Sequence, residues 1–160
     1  MQKLQLTTQY ILYENKAELD GTSQELMNTA IEARKKAYAP YSNFSVGAAI
    51  LLDNGKIVTG NNQENAAYPS GLCAERVAIY SAGALYPNNT IQKIAISASS
   101  SHKEVVKPVA PCGACRQAIA EYEMKQTTPI EIFFMGETGE VIKVNSLKDI
   151  LPLAFDKSFL

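Results

Sequence analysis

All three cysteines of this 160-residue chain lie in two short segments, residues 71–76 and 111–116. Cys112 and Cys115 are spaced i, i+3, so at the start of a helix both side chains project from one side and can bind the same metal ion. Cys73 would supply a third ligand. A metal ion held by all three cysteines would join segments about forty residues apart, and the rest of the chain must fold around that junction.

The number of cysteines also indicates what kind of metal site to expect. A structural zinc ion normally has four protein ligands, whereas a catalytic zinc ion usually has three and leaves the fourth position to water. Glu75 follows Cys73 at i+2, and residues i and i+2 of a regular helix point about 200° apart. Both side chains can therefore face one metal only if Cys73 lies at the very first turn, which predicts a helix that begins near Cys73.

Several further motifs lie in a fixed order around these two segments. They are Tyr-Ala-Pro-Tyr-Ser-Asn-Phe-Ser-Val-Gly-Ala at 38–48, Gly-Asn-Asn-Gln-Glu-Asn-Ala at 60–66, Cys-Ala-Glu-Arg at 73–76, Pro-Cys-Gly-Ala-Cys-Arg-Gln at 111–117, and Leu-Pro at 151–152 ahead of Phe155. A ligand-x-Glu segment followed by Pro-Cys-x-x-Cys is typical of zinc deaminases. Because the first ligand is Cys73 rather than histidine, the chain resembles the small homotetrameric cytidine deaminases, which act on free nucleosides, from about residue 23 to residue 155.

The resemblance implies an α/β fold, a three-layer α/β/α sandwich with a mixed five-strand sheet. The last two strands, near 130–134 and 140–144, are separated by only residues 135–139. A link this short cannot hold the crossover of a dozen or more residues that a parallel pair needs, so the two strands are predicted to be antiparallel. Relatives that act on nucleotides or nucleic acids place a helix at this point, so the short link favours the free-nucleoside branch.

The resemblance also implies a reaction, the zinc-dependent hydrolytic deamination of cytidine and 2′-deoxycytidine in pyrimidine salvage. One Zn²⁺ per chain would be bound by Cys73, Cys112 and Cys115, and Glu75 would transfer protons during the attack of water on C4. Arg76 and Arg116 lie in the first turns of the two cysteine helices, where hydrogen bonds to the thiolates are feasible and would offset the negative charge of the site.

Substrate contacts follow from the same resemblance. In the family, residues matching Asn62 and Glu64 bind the ribose 3′-hydroxyl, the one matching Phe44 packs against the base, and the one matching Ala74 also contacts the substrate. An amide and a carboxylate together suit a hydroxyl, which both donates and accepts. Residues matching Tyr68 and Phe155 reach the active site of a neighbouring subunit, so a homotetramer with shared active sites is expected.

Composition and charge fit a small-molecule enzyme. A formal net charge of −1 provides no broad basic surface for a nucleic acid. No run of about 20 apolar residues predicts a membrane span, and the N-terminus lacks the layout of a signal peptide. An odd number of cysteines, two of them in Cys-x-x-Cys, suits a metal or thiol site in a reducing compartment, which favours the cytoplasm.

The chain divides into an N-terminal extension, residues 1–21, and one catalytic domain, residues 22–160. Residues 10–13 are rich in strand formers and predict an added strand at a sheet edge, with a frayed tail as the alternative. Ser23 is the predicted N-cap of a helix that ends before Pro40. Residues 45–52 and 56–59 predict a hairpin around Asn54-Gly55, and residues 93–98 predict a buried strand.

Three other interpretations remain open from the sequence. The substrate could be another aminopyrimidine nucleoside, such as the antibiotic blasticidin S. A Cys₃His structural zinc site completed by His102 would make the chain a binding or scaffold protein. Cys112-x-x-Cys115 alone would also suit a thioredoxin-like thiol oxidoreductase, although Cys73 and Glu75 have no place in that chemistry.

Overall fold

A computed structural model describes residues 1–126 and 128–160. The six strands are β1 (Ile11–Tyr13), β2 (Phe44–Leu52), β3 (Ile57–Asn61), β4 (Ile91–Ser100), β5 (Glu131–Met135) and β6 (Val141–Val144). The three α-helices are α1 (Gly21–Arg34), α2 (Ala74–Leu85) and α3 (Gly113–Gln126). All six strands form one sheet in the order β1-β6-β5-β4-β2-β3.

The sheet is mixed, as predicted. β4 and β5 are parallel and are joined by the crossover that contains α3, whereas the other neighbouring strands are antiparallel. The antiparallel pairing of β5 with β6 confirms the prediction made from their short link. The strand count is six rather than five, because β1 extends the sheet at its edge by pairing with residues 141–143 of β6.

Helices cover both faces of the sheet, which gives the predicted three layers. Two clusters of buried apolar residues form the core, one on each face of the sheet. α1 packs over the smaller cluster, which includes Ala49, Ala95 and Phe133, and α2 and α3 pack over the larger cluster on the other face. Two glycines allow this close packing. A Cβ atom at Gly47 would lie 2.1 Å from the Ala30 carbonyl oxygen in α1, and one at Gly60 would lie 2.5 Å from the Ala74 carbonyl oxygen at the start of α2.

The first helix begins earlier than the sequence predicted. Its N-cap is Asp20, not Ser23: the Asp20 carboxylate accepts hydrogen bonds from the Ser23 backbone N–H at 2.9 Å and from the Ser23 hydroxyl at 2.7 Å. Both residue types are good N-caps, so the sequence allowed either choice. Ser23 is fully buried inside the first turn, where its hydroxyl needs a partner and finds it in Asp20.

The predicted hairpin and the buried strand are both confirmed. β2 and β3 pair with Ala49 opposite Thr59, and Gly55 in the connecting turn has φ of +78°. The Asn54 side chain accepts a hydrogen bond from the Lys56 N–H at 3.0 Å, which closes the turn.

Among the described residues, no helix combines the length and the apolar character needed to cross a bilayer.

Candidate metal centre and active site

The three cysteine sulfur atoms converge at one point between α2 and α3. The Sγ atoms of Cys73 and Cys112 lie 4.0 Å apart, those of Cys112 and Cys115 lie 3.5 Å apart, and all three fall within 4.8 Å of one another. A tetrahedral zinc ion with Zn–S bonds of about 2.3 Å places its sulfur ligands roughly 3.8 Å apart. The observed distances bracket this value, so the cluster fits one zinc ion.

The same distances exclude a disulfide in this structure, because bonded sulfur atoms lie about 2.05 Å apart. All three cysteines are free thiols, with Cys115 fully buried and Cys112 exposed. Within the described part of the chain, the cluster contains no fourth histidine, cysteine or carboxylate. His102 lies outside it on an exposed loop, so a Cys₃His structural site is not formed.

Local backbone geometry explains how Cys73 joins the cluster. Cys73 is the N-cap of α2 with an extended backbone, φ −69° and ψ 155°, which confirms the predicted start of this helix. Cys112 immediately precedes α3, and its carbonyl accepts the Arg116 N–H at 2.9 Å. Two helix N-termini therefore flank the sulfur cluster, where their partial positive charges favour thiolates.

The environment of the three thiols favours loss of the Cys73 proton. A hydrogen bond with the Cys115 thiol, supported by the Arg76 guanidinium, lowers the pKa of Cys73 to about 5. Donation to Cys73, together with burial, raises the pKa of Cys115. Zinc binds thiolates rather than thiols, so a zinc ion would displace the protons of the ligand thiols.

Glu75 lies in the first turn of α2 and is 6% exposed. Burial raises the pKa of its carboxyl group. The negative charge of Cys73 raises this pKa further, whereas a hydrogen bond with Cys115 acts in the opposite direction. A helix that starts at Cys73 thus brings both Cys73 and Glu75 to the same site, as the sequence predicted. A buried carboxyl group with a raised pKa beside a metal centre is suited to exchanging protons.

The two arginines differ in their contacts. Arg76 Nη2 donates to Cys73 Sγ at 3.9 Å, as the sequence predicted. Arg116 forms no hydrogen bond to sulfur among the described residues: its Nε donates to the Pro111 carbonyl at 2.8 Å and its Nη1 to the Ile150 carbonyl at 2.7 Å. Hydrogen bonds to sulfur were expected to be feasible for both arginines. Arg76 forms one, whereas Arg116 holds the segment before Cys112 and the C-terminal region against α3.

A pocket of about 420 Å³ opens beside the sulfur cluster, a volume in the range typical of small-molecule sites. Five of the predicted site residues contribute to its lining, namely Asn62, Glu64, Tyr68, Cys73 and Arg76. The rest of the lining is Tyr41, Ser42, Gln63, Asn65, Gly71 and Leu72. Phe44, Ala74, Glu75 and Phe155 are outside this lining.

Asn62 and Glu64 make specific contacts with the segment that leads into β2. The Asn62 side chain accepts from the Val46 N–H at 2.7 Å and donates to the Phe44 carbonyl at 2.9 Å. The Glu64 carboxylate accepts from the backbone N–H groups of Tyr41 and Ser42, at 3.0 and 3.2 Å, and from the Ser42 hydroxyl. These bonds, with the Ser42 hydroxyl bond the largest contributor, lower the pKa of Glu64.

Sequence reasoning overlooked Ser42 and Tyr41, although both belong to the motif at 38–48. The available signal was the run Pro40-Tyr41-Ser42-Asn43, which contains turn-forming residues directly before a strand. Asn43 has φ of +54°, a value that asparagine tolerates better than most residues. The turn it forms presents two backbone N–H groups to Glu64.

The remaining predicted residues lie around this arrangement. Phe44 begins β2 and is partly buried, and Ala74 is fully buried at the start of α2. Tyr68 is 76% exposed, with its ring centroid 6.2 Å from that of Tyr41. Phe155 is 59% exposed, and its carbonyl accepts from the Gln117 side chain at 2.9 Å, which attaches the C-terminal tail to α3.

The site is of the kind found in catalytic zinc enzymes, because three thiolate ligands would leave the fourth coordination position of a zinc ion open beside a buried carboxyl group. Residues 20–130 match a family described as the cytidine and deoxycytidylate deaminase zinc-binding region. The chain belongs to this family of zinc-dependent deaminases, and one Zn²⁺ per chain is its cofactor. Family membership decides against the thiol oxidoreductase and the structural zinc module.

Individual relatives agree with this assignment. A protein named cytidine deaminase from Halalkalibacterium halodurans is 39% identical over 132 residues, which cover 82% of this chain and 92% of the relative. The protein of the same name from Mycobacterium tuberculosis is 40% identical over 130 residues, covering 81% and 86% of the two chains. The crystal structure of cytidine deaminase from Burkholderia pseudomallei has a TM-score of 0.70 and 40% identity, covering 82% of this chain and 97% of that one.

Proposed function

We propose that this protein catalyses the hydrolytic deamination of cytidine and 2′-deoxycytidine to uridine and 2′-deoxyuridine, with release of ammonia. The observation that carries the proposal is the buried carboxyl group of Glu75 beside the three-cysteine cluster, next to a pocket of about 420 Å³. The similar proteins named cytidine deaminase support the choice of substrate.

In this mechanism Cys73, Cys112 and Cys115 would hold the zinc ion. A bound zinc ion would supply a water molecule whose pKa is lowered toward neutrality. Glu75 accepts a proton from the attacking water and delivers it to ring atom N3 while the oxygen adds to C4. Glu75 then carries a second proton from the added hydroxyl group to the amino group, the C4–N4 bond breaks, and ammonia leaves with the carbonyl of uridine formed.

The environment of Glu75 suits both directions of this transfer. Because burial raises the pKa of its carboxyl group, the protonated form is accessible closer to neutral pH than for an exposed glutamate. A carboxyl group whose pKa lies nearer the working pH can both accept and release a proton during one turnover. Its place in the first turn of α2 keeps it beside the cysteine cluster throughout.

Three thiolates leave the zinc site with a net negative charge, which weakens its ability to activate water. The N-termini of α2 and α3 and the guanidinium of Arg76 offset this charge. Arg76 lines the pocket as well, so its charge acts on both the ligand sulfur and the space next to it. Arg116 supports the site indirectly, through its two backbone contacts.

For substrate binding we assign the sugar to Asn62 and Glu64 and the base to Phe44 and Ala74. Asn62 and Glu64 line the pocket, and the lowered pKa of Glu64 keeps it ionised as an acceptor for a sugar hydroxyl. Phe44 is joined to Asn62 through its own carbonyl. Contacts to the sugar and to the base would therefore be set by one connected group of residues.

The proposal includes a homotetramer in which Tyr68 and Phe155 enter the active sites of neighbouring subunits. Both aromatic side chains are largely exposed in the single chain, at 76% and 59%, and large exposed aromatics are enriched at protein interfaces. Residues 22–160 would form the catalytic domain, with residues 1–21 as an extension that contributes β1. The three unoxidised thiols suit the reducing cytoplasm.

The test is the ultraviolet absorbance change when zinc-loaded protein is mixed with cytidine or deoxycytidine. Loss of the cytidine band with the wild type, and none with Glu75→Gln of equal zinc content, is the expected result. A zinc-loaded wild type inert toward both nucleosides would overturn the proposal and make another aminopyrimidine nucleoside, such as blasticidin S, the leading substrate.

A further inference from the structure

The turn at residues 41–44 folds around the carboxylate of Glu64. Three donors reach this group: Oε2 accepts from the backbone N–H groups of Tyr41 and Ser42, and Oε1 accepts from the Ser42 hydroxyl. A carboxylate has about four acceptor positions, two on each oxygen. The turn fills both positions on Oε2 and one on Oε1, which leaves a single position on Oε1.

The Ser42 side chain decides which position stays open. The two backbone donors hold Oε2 alone, and the terminal torsion of a glutamate side chain, about the Cγ–Cδ bond, has a broad energy minimum. Without a third donor, Oε1 would therefore not be held in one position. The hydroxyl of Ser42 adds a third point and fixes Oε1 as well. Since Ser42 and Glu64 both line the pocket, the remaining position on Oε1 has a defined direction there.

The same hydroxyl also connects Glu64 to the rest of the predicted substrate site. Ser42 Oγ accepts from the Phe44 N–H at 3.1 Å, while the Phe44 carbonyl accepts from the Asn62 side chain at 2.9 Å. The Ser42 hydroxyl thus donates to the Glu64 carboxylate and accepts from the Phe44 N–H. Four residues, Glu64, Ser42, Phe44 and Asn62, form one continuous hydrogen-bonded series.

We propose that Ser42 is a positioning residue for sugar recognition: its hydroxyl fixes the Glu64 carboxylate so that one acceptor position receives one sugar hydroxyl. This inference rests on the proposed function and deepens it. Without the Ser42 hydroxyl, Oε1 has two open positions and is no longer held in one place. The site would then distinguish less sharply between a nucleoside with a 3′-hydroxyl and one that lacks it.

The experiment compares kcat/KM for cytidine and for 3′-deoxycytidine, which lacks the 3′-hydroxyl, in the wild type and in Ser42→Ala. The preference of the wild type for cytidine should narrow about tenfold in Ser42→Ala, the effect of one weakened hydrogen bond to a charged group. The change should arise mainly from a higher KM for cytidine, with kcat for 3′-deoxycytidine little altered.

Two variants separate positioning from a general structural effect. Ser42→Thr keeps the hydroxyl and should restore the wild-type preference. Ser45→Ala removes a hydroxyl from the same region, and the structure records no side-chain hydrogen bond for Ser45 among the described residues, so the preference should stay unchanged. An equal loss of kcat/KM for both nucleosides in Ser42→Ala, with the preference preserved, would overturn the inference, as would a preference that Ser42→Thr fails to restore.

The outcomes also distinguish this inference from the proposed function. If the wild type deaminates neither nucleoside, the proposed function itself fails. If the wild type prefers cytidine and Ser42→Ala keeps the full preference, only the role of Ser42 is wrong.

Discussion

The Sγ atoms of Cys73 and Cys112 lie 4.0 Å apart, although β4 and the whole of α2 separate these residues in the chain. Each cysteine stands at the N-terminal end of its helix, so the contact fixes the starts of α2 and α3 relative to each other. A zinc ion at this point would cross-link two helices that pack side by side on the same face of the sheet.

Removal of the zinc ion should therefore lower stability as well as abolish activity. A ligand that binds only the folded state stabilises it, and each 1 kcal/mol shifts the Tm of a domain of this size by roughly 2–4 °C. We expect chelation to lower the Tm by more than about 5 °C in scanning calorimetry, with recovery on adding zinc. Cys112→Ser, which cannot complete the site, should have a Tm that responds little to the chelator. A wild-type Tm that survives complete zinc removal would argue against the cross-link.

Glu123→Gln should destabilise the domain, because Glu123 is a buried acceptor at the far end of α3. Its carboxylate accepts from the N–H groups of Ile130 and Leu147, at 2.8 and 3.0 Å, and from the Ser146 hydroxyl at 2.6 Å. An amide oxygen in place of Oε2 keeps both backbone donors, but the NH₂ group then faces the Ser146 hydroxyl, which loses its acceptor, at a cost of about 1 kcal/mol. Urea unfolding measures this loss, and the exposed Glu121→Gln on the same helix serves as the control with little expected change.

Asp20→Ala should lower the free energy of unfolding by about 1 kcal/mol at neutral pH, through loss of the N-cap of α1. Hydrogen bonds from the Ser23 hydroxyl and N–H lower the pKa of Asp20 to about 2 from 3.8. Because the pKa in the folded state is the lower one, the stabilisation is complete above about pH 5 and is lost as the pH falls toward 2.

Urea unfolding at several pH values checks this dependence. The difference between the wild type and Asp20→Ala should shrink as the pH is lowered below about 5. Asp20→Asn keeps an acceptor for the Ser23 N–H and should cost less at neutral pH than Asp20→Ala. If the difference in unfolding free energy between the wild type and Asp20→Ala grew as the pH was lowered, the predicted direction of the pH dependence would be wrong.

The parts of the fold that could be predicted from sequence are those set by local chemistry. The start of α2 at Cys73 followed from the need for Cys73 and Glu75 to share one site, and the antiparallel pairing of β5 with β6 followed from the length of their link. The N-cap of α1 was misplaced because Asp20 and Ser23 are equally good caps, and only the burial of Ser23 distinguishes them.

Contacts between distant segments explain what sequence reasoning missed. Ile150, which accepts from Arg116, lies 34 residues along the chain, and Ser42 lies 22 residues before Glu64. The preference of a guanidinium for a backbone carbonyl over a thiolate depends on which group the fold brings within reach. The same holds for the hydroxyl of Ser42, whose role becomes visible only when the turn at residues 41–44 is seen to surround Glu64.

Arg76 and Arg116 should respond differently to substitution, because Arg76 donates to a ligand sulfur whereas the recorded hydrogen bonds of Arg116 go to backbone carbonyls. Removing the Arg76 charge leaves the net negative charge of the zinc site less compensated, so Arg76→Ala should keep the fold but lower kcat by about tenfold or more, or release zinc at a lower chelator concentration. Arg116→Ala instead frees the carbonyls of Pro111 and Ile150, so its main effect should be a lower Tm.

Zinc content, kcat and Tm measured on both variants test this contrast, and Arg76→Lys, which restores the charge, should recover part of the lost turnover. Unchanged zinc retention and kcat in Arg76→Ala would show that the two helix N-termini are sufficient to balance the thiolates.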